Sequence, residues 1–188
     1  GYYWKTCTLH TGVKLDIFTA IGSEALSCNE INKKLKVDKR GLTMLLNSLS
    51  ALELLVKDGK KYSNSLPALT FLSKESPQYL GFMIMHHHHL VEPWSRLDEA
   101  VKSGQSVSRE VVHDDESRES FLMGMFNLGM SIAPGVSREI DLQGKKSFLD
   151  LGGGPGTYAI HFCLANPGLN ATVADLPATR PFAEKTIA

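Results

Sequence analysis

The sequence predicts a chain in two parts: a mainly α-helical domain with a winged-helix order of elements, followed by the first β-α-β unit of an α/β, Rossmann-like domain. Three observations support this fold class. Short helical patterns lead into a hairpin pattern before residue 65, apolar residues repeat at helical spacing between residues 76 and 138, and a glycine-rich turn joins a strand pattern to a helix pattern after residue 146. We expect domains at residues 1–105 and 106–188, which suits a chain of 188 residues.

The first domain begins with apolar residues at helical spacing, and Gly22 is expected to end that helix. Ser27 and Glu30 have the spacing of a capping box, which predicts the start of a second helix. Asp38 is expected to cap a third helix with a leucine-rich buried stripe. The apolar positions of the first helix are Leu9, Val13, Ile17 and Ile21.

A hairpin pattern follows these helices. Two short strand patterns, residues 54–56 and 61–63, flank Lys57-Asp58-Gly59-Lys60, where Asp-Gly is expected to supply the positive φ angles of a tight turn. Three helices followed by a hairpin are the order of a winged helix.

The middle of the chain is predicted to be helical. One apolar stripe predicts a helix or a helix pair that Pro93 either kinks or interrupts near Val91. A further helix is expected from Glu116 to about Ile132, and Pro134-Gly135 is expected to break it. The residues of the first stripe are Leu80, Ile84, His87, Val91, Trp94 and Val101.

The glycine-rich turn is the strongest chemical signal. A strand pattern at 146–151 leads into Gly152-Gly153-Gly154-Pro155-Gly156, then a helix pattern at 157–165 and a second strand pattern at 171–175. Glycines let a ligand approach the backbone closely, and the N-terminus of the next helix presents free N–H groups. Asp175, 23 positions after Gly152, can accept hydrogen bonds from both hydroxyls of a ribose. The layout therefore predicts a nucleoside-containing cofactor.

The spacing within this turn favours one cofactor class. A dinucleotide fingerprint is G-x-G-x-x-G, whereas this turn reads G-x-G-x-G. Asp150, two residues before the first glycine, would repel a pyrophosphate, but its charge suits a cationic sulfonium or an amino group. S-adenosylmethionine is therefore favoured over NAD. The alternative that the segment is a tight turn without a ligand stays open, because short motifs also occur by chance.

Two motifs resemble a known family. Asp-Leu-Gly-Gly-Gly-Pro-Gly at 150–156 and Val-Ala-Asp-Leu-Pro at 173–177 resemble motif I and the second-strand acid of class I S-adenosylmethionine-dependent methyltransferases. The segment at 94–104 resembles the W-x-x-L-x-x-A-V-x-x-G segment of the small-molecule O-methyltransferases, whose N-terminal domain is a winged-helix-like dimerisation module.

The resemblance implies a set of site residues. The expected cofactor-binding residues are Gly152, Gly154, Asp175, Asp150 and Leu176. The segment at 121–125 resembles the F-x-x-x-M segment of the family, so Phe121 and Met125 are expected to line the acceptor pocket.

The histidines at 86–89 could suggest a metal site, but adjacent residues spread around a helix and do not converge on one ion. We expect no metal. His87, on the predicted apolar face, is a candidate for contact with the substrate.

The predicted function is methyl transfer from S-adenosylmethionine to a hydroxyl of a small, aromatic or polyketide-like acceptor, in a homodimer formed through the N-terminal domain. The family's methyltransferase domain continues for several more strands, which carry the general base. We therefore expect this chain to be an inactive fragment of a longer enzyme, and its catalytic residues stay unknown. The alternative is a winged-helix, DNA-binding transcriptional regulator.

Composition excludes several other classes. With 43% hydrophobic and 21% charged residues the chain is not intrinsically disordered. Because 20 Lys and Arg balance 20 Asp and Glu, no net charge favours nucleic acid or an anionic membrane. No apolar run reaches the roughly 18 residues of a membrane helix. The three cysteines form no CxxC pair, which fits a reducing compartment. We expect a cytoplasmic protein with no nucleic-acid or membrane partner.

Overall fold

The computed structural model describes residues 1–107 and 115–188. It is mostly helical, with two small β-sheets in the described part of the chain. The described residues form two compact units, Gly1–Val91 and Glu92–Ala188, which we call the first and second units. The expected division after residue 105 stays a prediction.

The first unit consists mainly of short helices. Their bounds are α1 at Tyr2–Lys14, α2 at Ile17–Ile21, α3 at Cys28–Leu35, α4 at Lys39–Ala51, α5 at Leu66–Leu72 and α6 at Gly81–Ser95, whose last residues belong to the second unit. The predicted capping box is confirmed: the Glu30 N–H donates to the Ser27 hydroxyl at 3.4 Å, and the Ser27 N–H donates to the Glu30 carboxylate at 2.7 Å. The Asp38 cap is also confirmed, because its carboxylate accepts from the Gly41 N–H at 2.7 Å.

The single first helix that we predicted is wrong, because the chain turns between α1 and α2. Asp16 has a φ angle of 55°, in the left-handed region that Asp tolerates better than most residues. Its carboxylate pairs with the Lys74 ammonium at 2.7 Å. The turn directs Ile17 and Phe18 fully into the core, and Gly22 ends α2 as expected.

The sheet of the first unit is antiparallel, in the order β1-β3-β2. Its strands are β1 at Leu26–Ser27, β2 at Leu55–Asp58 and β3 at Lys61–Asn64. The predicted hairpin is confirmed, but its loop is Gly59-Lys60, and Asp58 ends β2 with only Gly59 at a positive φ. The sequence analysis did not predict β1 or α5. The Ser65 hydroxyl caps α5 by accepting from the Ala68 N–H.

Several of these elements share one apolar core in the first unit. Residues from α2, α3 and α4 and from both hairpin strands pack in one cluster. Its most deeply buried members are Ile17, Phe18, Ile21, Ile31, Leu46 and Leu49.

Pro93 does not interrupt α6 near Val91, since the helix continues to Ser95 and α7 begins at Leu97. The bounds of α7 are Leu97–Ser103. The predicted apolar stripe on this segment is buried only in part, because Ile84 packs against the core of the first unit whereas Val101 is 76% exposed. The buried positions of α6 are Gly81 and Met85, whereas Trp94 is 66% exposed.

Helix α8, at Asp115–Glu139, passes through Pro134-Gly135, so the predicted break is wrong. Packing against α9, at Thr157–Ala165, explains the continuity. Every fourth residue, Gly129, Ala133 and Ser137, is small and buried. A Cβ atom on Gly129 would lie only 3.0 Å from the Thr157 methyl group, so the two helices approach closely there. This packing outweighs the unfavourable proline, as tertiary contacts often override local propensity.

The predicted strand-helix-strand unit is confirmed. Strand β4, at Ser147–Leu151, pairs in parallel with β5, at Asn170–Ala174, and α9 connects them. The register aligns Ser147 with Asn170 and Leu151 with Ala174. A short 3-10 turn at Pro177–Thr179 then leads into α10 at Arg180–Ile187. The glycine-rich turn and Asp175 therefore lie at the same, carboxyl end of the two strands.

Among the described residues, no helix combines the length and the hydrophobicity needed to cross a membrane.

Candidate functional site

The glycine-rich turn leaves the sheet directly from β4. The Gly152 N–H donates to the carbonyl of Ala174 at 2.7 Å, so the pairing with β5 continues into the turn. Gly154 has a φ angle of 55°, which a side chain would strain. The next residues form a tight turn in which the Gly156 N–H donates to the Gly153 carbonyl at 2.9 Å, immediately before α9.

Asp150 lies against this turn. A Cβ atom on Gly153 would lie 2.5 Å from Asp150 Cγ, so only glycine permits this approach of backbone and carboxyl group. Within residues 1–107 and 115–188, Asp150 Oδ2 is buried and has no hydrogen-bond partner. Because buried polar atoms are normally paired, this oxygen is suited to a donor from a bound molecule.

Asp175 is fixed by three donors. Its Oδ2 accepts from the Gly154 N–H at 2.7 Å, and its Oδ1 accepts from the Leu176 N–H at 2.6 Å and from the Thr179 hydroxyl at 3.2 Å. The Leu176 N–H, together with the Gly154 N–H and the Thr179 hydroxyl, lowers the pKa of Asp175, although burial acts in the opposite direction. Asp175 is therefore an ionised carboxylate at neutral pH, and it ties the end of β5 to the glycine turn.

These groups line a cavity of about 410 Å³ in the second unit. Helix α8 forms one wall, and the glycine turn and the segment after β5 form the others. Seven of the eight predicted site residues line it: Phe121, Met125, Asp150, Gly152, Gly154, Asp175 and Leu176. Their roles stay predictions, but the structure brings the two predicted groups of residues to one cavity.

The sequence analysis missed part of this lining. Arg118, Leu122 and Gly129 lie on the α8 face that carries Phe121 and Met125. Helical spacing of three and four residues from Phe121 and Met125 could have identified all three. Tyr158 and Thr179 also line the cavity, and nothing in the motif comparison pointed to Thr179.

The charges around the cavity suit a zwitterionic or cationic ligand. Two carboxylates, Asp150 and Asp175, line it, and Arg118 is a cation at the α8 wall whose guanidinium pairs with Asp115. The unpaired Asp150 oxygen would attract an ammonium or sulfonium group and repel a pyrophosphate. The residues present therefore fit S-adenosylmethionine better than a dinucleotide.

A larger groove of about 850 Å³ lies beside this cavity, between α9, β5 and α10. Its lining is mostly aliphatic, and it shares Asp175 and Leu176 with the smaller cavity. The glycine turn and Asp150 do not line it, so the polar groups suited to a nucleoside converge on the smaller cavity.

His87, the eighth predicted residue, belongs to the first unit. It is exposed, so its expected position on a buried apolar face is wrong, while a substrate contact stays a prediction. Its neighbour His88 has its ring edge-on to His10 at 5.5 Å between centroids, and the Lys14 ammonium lies 3.3 Å from His88 Nε2. Burial, and secondarily the nearby His88 and His87, lower the pKa of His10.

For the part of the chain that the structure describes, no group of three or more His, Cys, Asp or Glu side chains is placed to hold a metal ion.

Comparison with known proteins shows what the chain is similar to. Residues 1–74 match the family described as the O-methyltransferase dimerisation domain. Beyond residue 74, similarity to known proteins extends over nearly the whole chain.

Three relatives document this similarity. The chain is 32% identical to the N,N-dimethyltransferase OxyT of Streptomyces rimosus, over 98% of this chain and 57% of OxyT. It is 30% identical to the 3-hydroxy-5-methyl-1-naphthoate 3-O-methyltransferase of Streptomyces sahachiroi, over 98% of this chain and 56% of that enzyme. The structure of an O-methyltransferase family protein from Burkholderia thailandensis superimposes with a TM-score of 0.83 at 28% identity, over 100% of this chain and 57% of that chain.

The resemblance to S-adenosylmethionine-dependent O-methyltransferases is thereby confirmed. The chain spans a little over half the length of the relatives that it matches.

Proposed function

We propose that the protein containing this chain transfers a methyl group from S-adenosylmethionine to a hydroxyl of a small, aromatic or polyketide-like acceptor. One observation carries the proposal: Asp150, whose buried Oδ2 has no hydrogen-bond partner among the described residues, and Asp175 line the same glycine-lined cavity. The relatives named as methyltransferases support it.

The carboxylates would divide the recognition of the cofactor between them. Asp175, ionised and fixed by the Gly154 N–H, would accept a hydrogen bond from a ribose hydroxyl. Asp150 would accept from the amino group and stabilise positive charge near the sulfonium. Gly152 and Gly154 would let the ligand contact the backbone, and the exposed side chain of Leu176 would cover an apolar part of the cofactor.

The α8 wall would position the acceptor. Phe121 and Met125 contribute apolar surface to the cavity, which suits an aromatic acceptor. S-adenosylmethionine would supply an electrophilic methyl group on a sulfonium centre. The acceptor oxygen would form the new bond to carbon as the carbon-sulfur bond breaks, and its proton would pass to a general base. We assign no described residue as that base, so the protein's contribution visible here is proximity and orientation.

The finer domain assignments belong to the same proposal. The first unit would act as a winged-helix dimerisation module, and the second unit would begin a Rossmann-like domain. Exposed aromatic residues at the start of α1, Tyr2, Tyr3 and Trp4, offer apolar surface for a homodimer contact. Light scattering of the full-length protein that gives the mass of a monomer at micromolar concentration would contradict the dimer.

The alternative of a DNA-binding regulator is not favoured. The relatives that are similar to nearly the whole chain are named as methyltransferases. The name of OxyT does, however, specify methylation of nitrogen. If the methyl group were transferred to an amine and not to a hydroxyl, the proposed acceptor atom would be wrong, but the proposed cofactor site would be unaffected.

Calorimetric titration of the full-length protein with S-adenosylhomocysteine tests the proposal. Asp175→Asn should weaken binding at least about tenfold, because charge-assisted hydrogen bonds to a ligand are lost. Asp141→Asn is the matched control: Asp141 is an exposed carboxylate of the same unit that accepts a local bond from the Gln143 N–H at 2.8 Å and does not line the cavity. No binding by the unmodified protein, or equal effects of the two variants, would overturn the proposal.

A further inference from the structure

Thr179 makes an uncommon contact for a helical threonine. Its hydroxyl is 3.2 Å from Asp175 Oδ1, four residues earlier, and the residue is only 6% exposed. Its N–H donates to the Leu176 carbonyl at 2.9 Å, which closes the short turn at Pro177–Thr179 and holds Thr179 over the carboxylate.

Other threonines of the chain show the ordinary behaviour. Their hydroxyls donate to the backbone carbonyl four residues earlier, a common local bond in helices. These threonines are Thr6, Thr8, Thr11, Thr43 and Thr70. At Thr179 the residue four positions earlier is Asp175, which lies just beyond the end of β5, and the hydroxyl donates to its side chain.

The contact determines which part of the carboxylate remains available. A carboxylate oxygen has two lone pairs. Within residues 1–107 and 115–188, Oδ1 accepts two bonds, from Leu176 and Thr179, whereas Oδ2 accepts one, from the Gly154 N–H. The open acceptor position is therefore on Oδ2, beside the glycine turn.

We propose that Thr179 is a positioning residue for ribose recognition: its buried hydroxyl holds Oδ1 of Asp175, so that Oδ2 is directed to a ribose hydroxyl of the cofactor. The inference rests on the proposed function, because it takes the group that Asp175 binds to be a ribose hydroxyl of the cofactor. Without the Thr179 hydroxyl, the carboxylate rotates more freely, and a bound ribose must order it again.

The test compares two ligands and two variants in the full-length protein. The ligands are S-adenosylhomocysteine and its analogue without the two ribose hydroxyls, titrated by calorimetry. Thr179→Val removes the hydroxyl at nearly constant volume, and Thr179→Ser keeps it. Thr179→Val should weaken S-adenosylhomocysteine binding about 3- to 10-fold, the usual effect of one hydrogen bond. The analogue should change less than about twofold, and Thr179→Ser should restore the affinity for S-adenosylhomocysteine.

The outcomes separate this inference from the proposed function. Equal weakening of both ligands by Thr179→Val, or no weakening of either, would overturn the positioning role while leaving the cofactor site intact. Failure of the unmodified protein to bind S-adenosylhomocysteine, or to distinguish it from the analogue, would instead overturn the proposed function at Asp175. Thermal unfolding of both variants checks that the fold is retained. If Thr179→Val does not fold, Thr179→Ala takes its place in the titrations.

Discussion

The two units differ in how completely they bury their apolar residues. In the first unit, a helical cluster and a hairpin enclose one core, and Leu46 and Leu49 have no exposed surface. In the second unit, Leu149 and Leu151 of β4 are 61% and 81% exposed, although β4 is part of a parallel sheet. Parallel sheets in proteins are normally covered on both faces.

The two units also differ in where their polar groups lie and in what those groups do. The contacts that close the first unit are apolar, with polar groups used as caps at Ser27 and Asp38. In the second unit, polar groups converge at the end of the strands, where Asp150 and Asp175 line the cavity. The first unit is therefore organised around an apolar core, whereas the second combines a binding site with exposed apolar residues on its sheet.

Matched leucine substitutions should show the difference most strongly. In the 188-residue chain, Leu46→Ala should lower the free energy of unfolding by about 3 kcal/mol, because it leaves a cavity in a closed core. Leu151→Ala removes the same atoms at an exposed position, so it should change the free energy of unfolding by less than about 0.5 kcal/mol. Urea denaturation followed by circular dichroism measures both.

If the two substitutions lowered the free energy of unfolding equally, the contrast between the units would be contradicted. The comparison becomes sharper in the full-length protein. If additional elements cover β4 there, as we propose for a Rossmann-like domain, Leu151→Ala should cost about 2 kcal/mol or more. An unchanged, small cost would show that this face of β4 stays exposed.

Local signals account for the parts of the fold that the sequence predicted well. The capping box at Ser27, the cap at Asp38 and the hairpin at Gly59 each depend on residues within a few positions of one another. The strand-turn-helix-strand order around the glycine turn is equally local. The cavity could be anticipated because parallel strands bring Gly154 and Asp175 to the same edge of the sheet.

Long-range packing accounts for what the sequence did not predict. Helix α8 continues through Pro134 because Gly129 and Ala133 pack closely in the second unit, and no local rule contains that contact. Asp16 turns the chain with the help of Lys74, 58 positions away. Thr179 was missed for another reason: its partner is near in sequence, but the direction of its hydroxyl depends on the turn after β5.

The second prediction concerns the crowded glycine of the site. Gly153→Ala should weaken S-adenosylhomocysteine binding about tenfold, because the new methyl group would lie 2.5 Å from Asp150 Cγ and displace that carboxylate. Gly135→Ala is the control, since a Cβ there meets nothing within 4 Å and Gly135 lies within α8 of the same unit. Calorimetric titration of both full-length variants distinguishes them. Unchanged affinity of Gly153→Ala for S-adenosylhomocysteine would show that Asp150 does not bind the cofactor.

The smallest expected effect is a pH dependence confined to the first unit. His10 is buried, and His88 and His87 from α6 face it, while Lys14 of α1 contacts His88. Because the folded state lowers the pKa of His10, mainly through burial, the unfolded chain binds a proton more readily. The stabilising contribution is therefore fully present well above the unfolded pKa of about 6.5 and decreases as the pH falls through it.

Urea denaturation between pH 8 and pH 5 tests this dependence. The unmodified chain should lose stability toward acid more steeply than His10→Gln, which removes the titrating ring but keeps a polar side chain in α1. His161→Gln, in α9 of the second unit, is the matched control and should keep the slope of the unmodified chain. Parallel slopes for the unmodified chain and His10→Gln would mean that the contact between α1 and α6 does not depend on a neutral His10. The acid sensitivity would then have to arise from other groups, and the first unit would derive its stability from its apolar core alone.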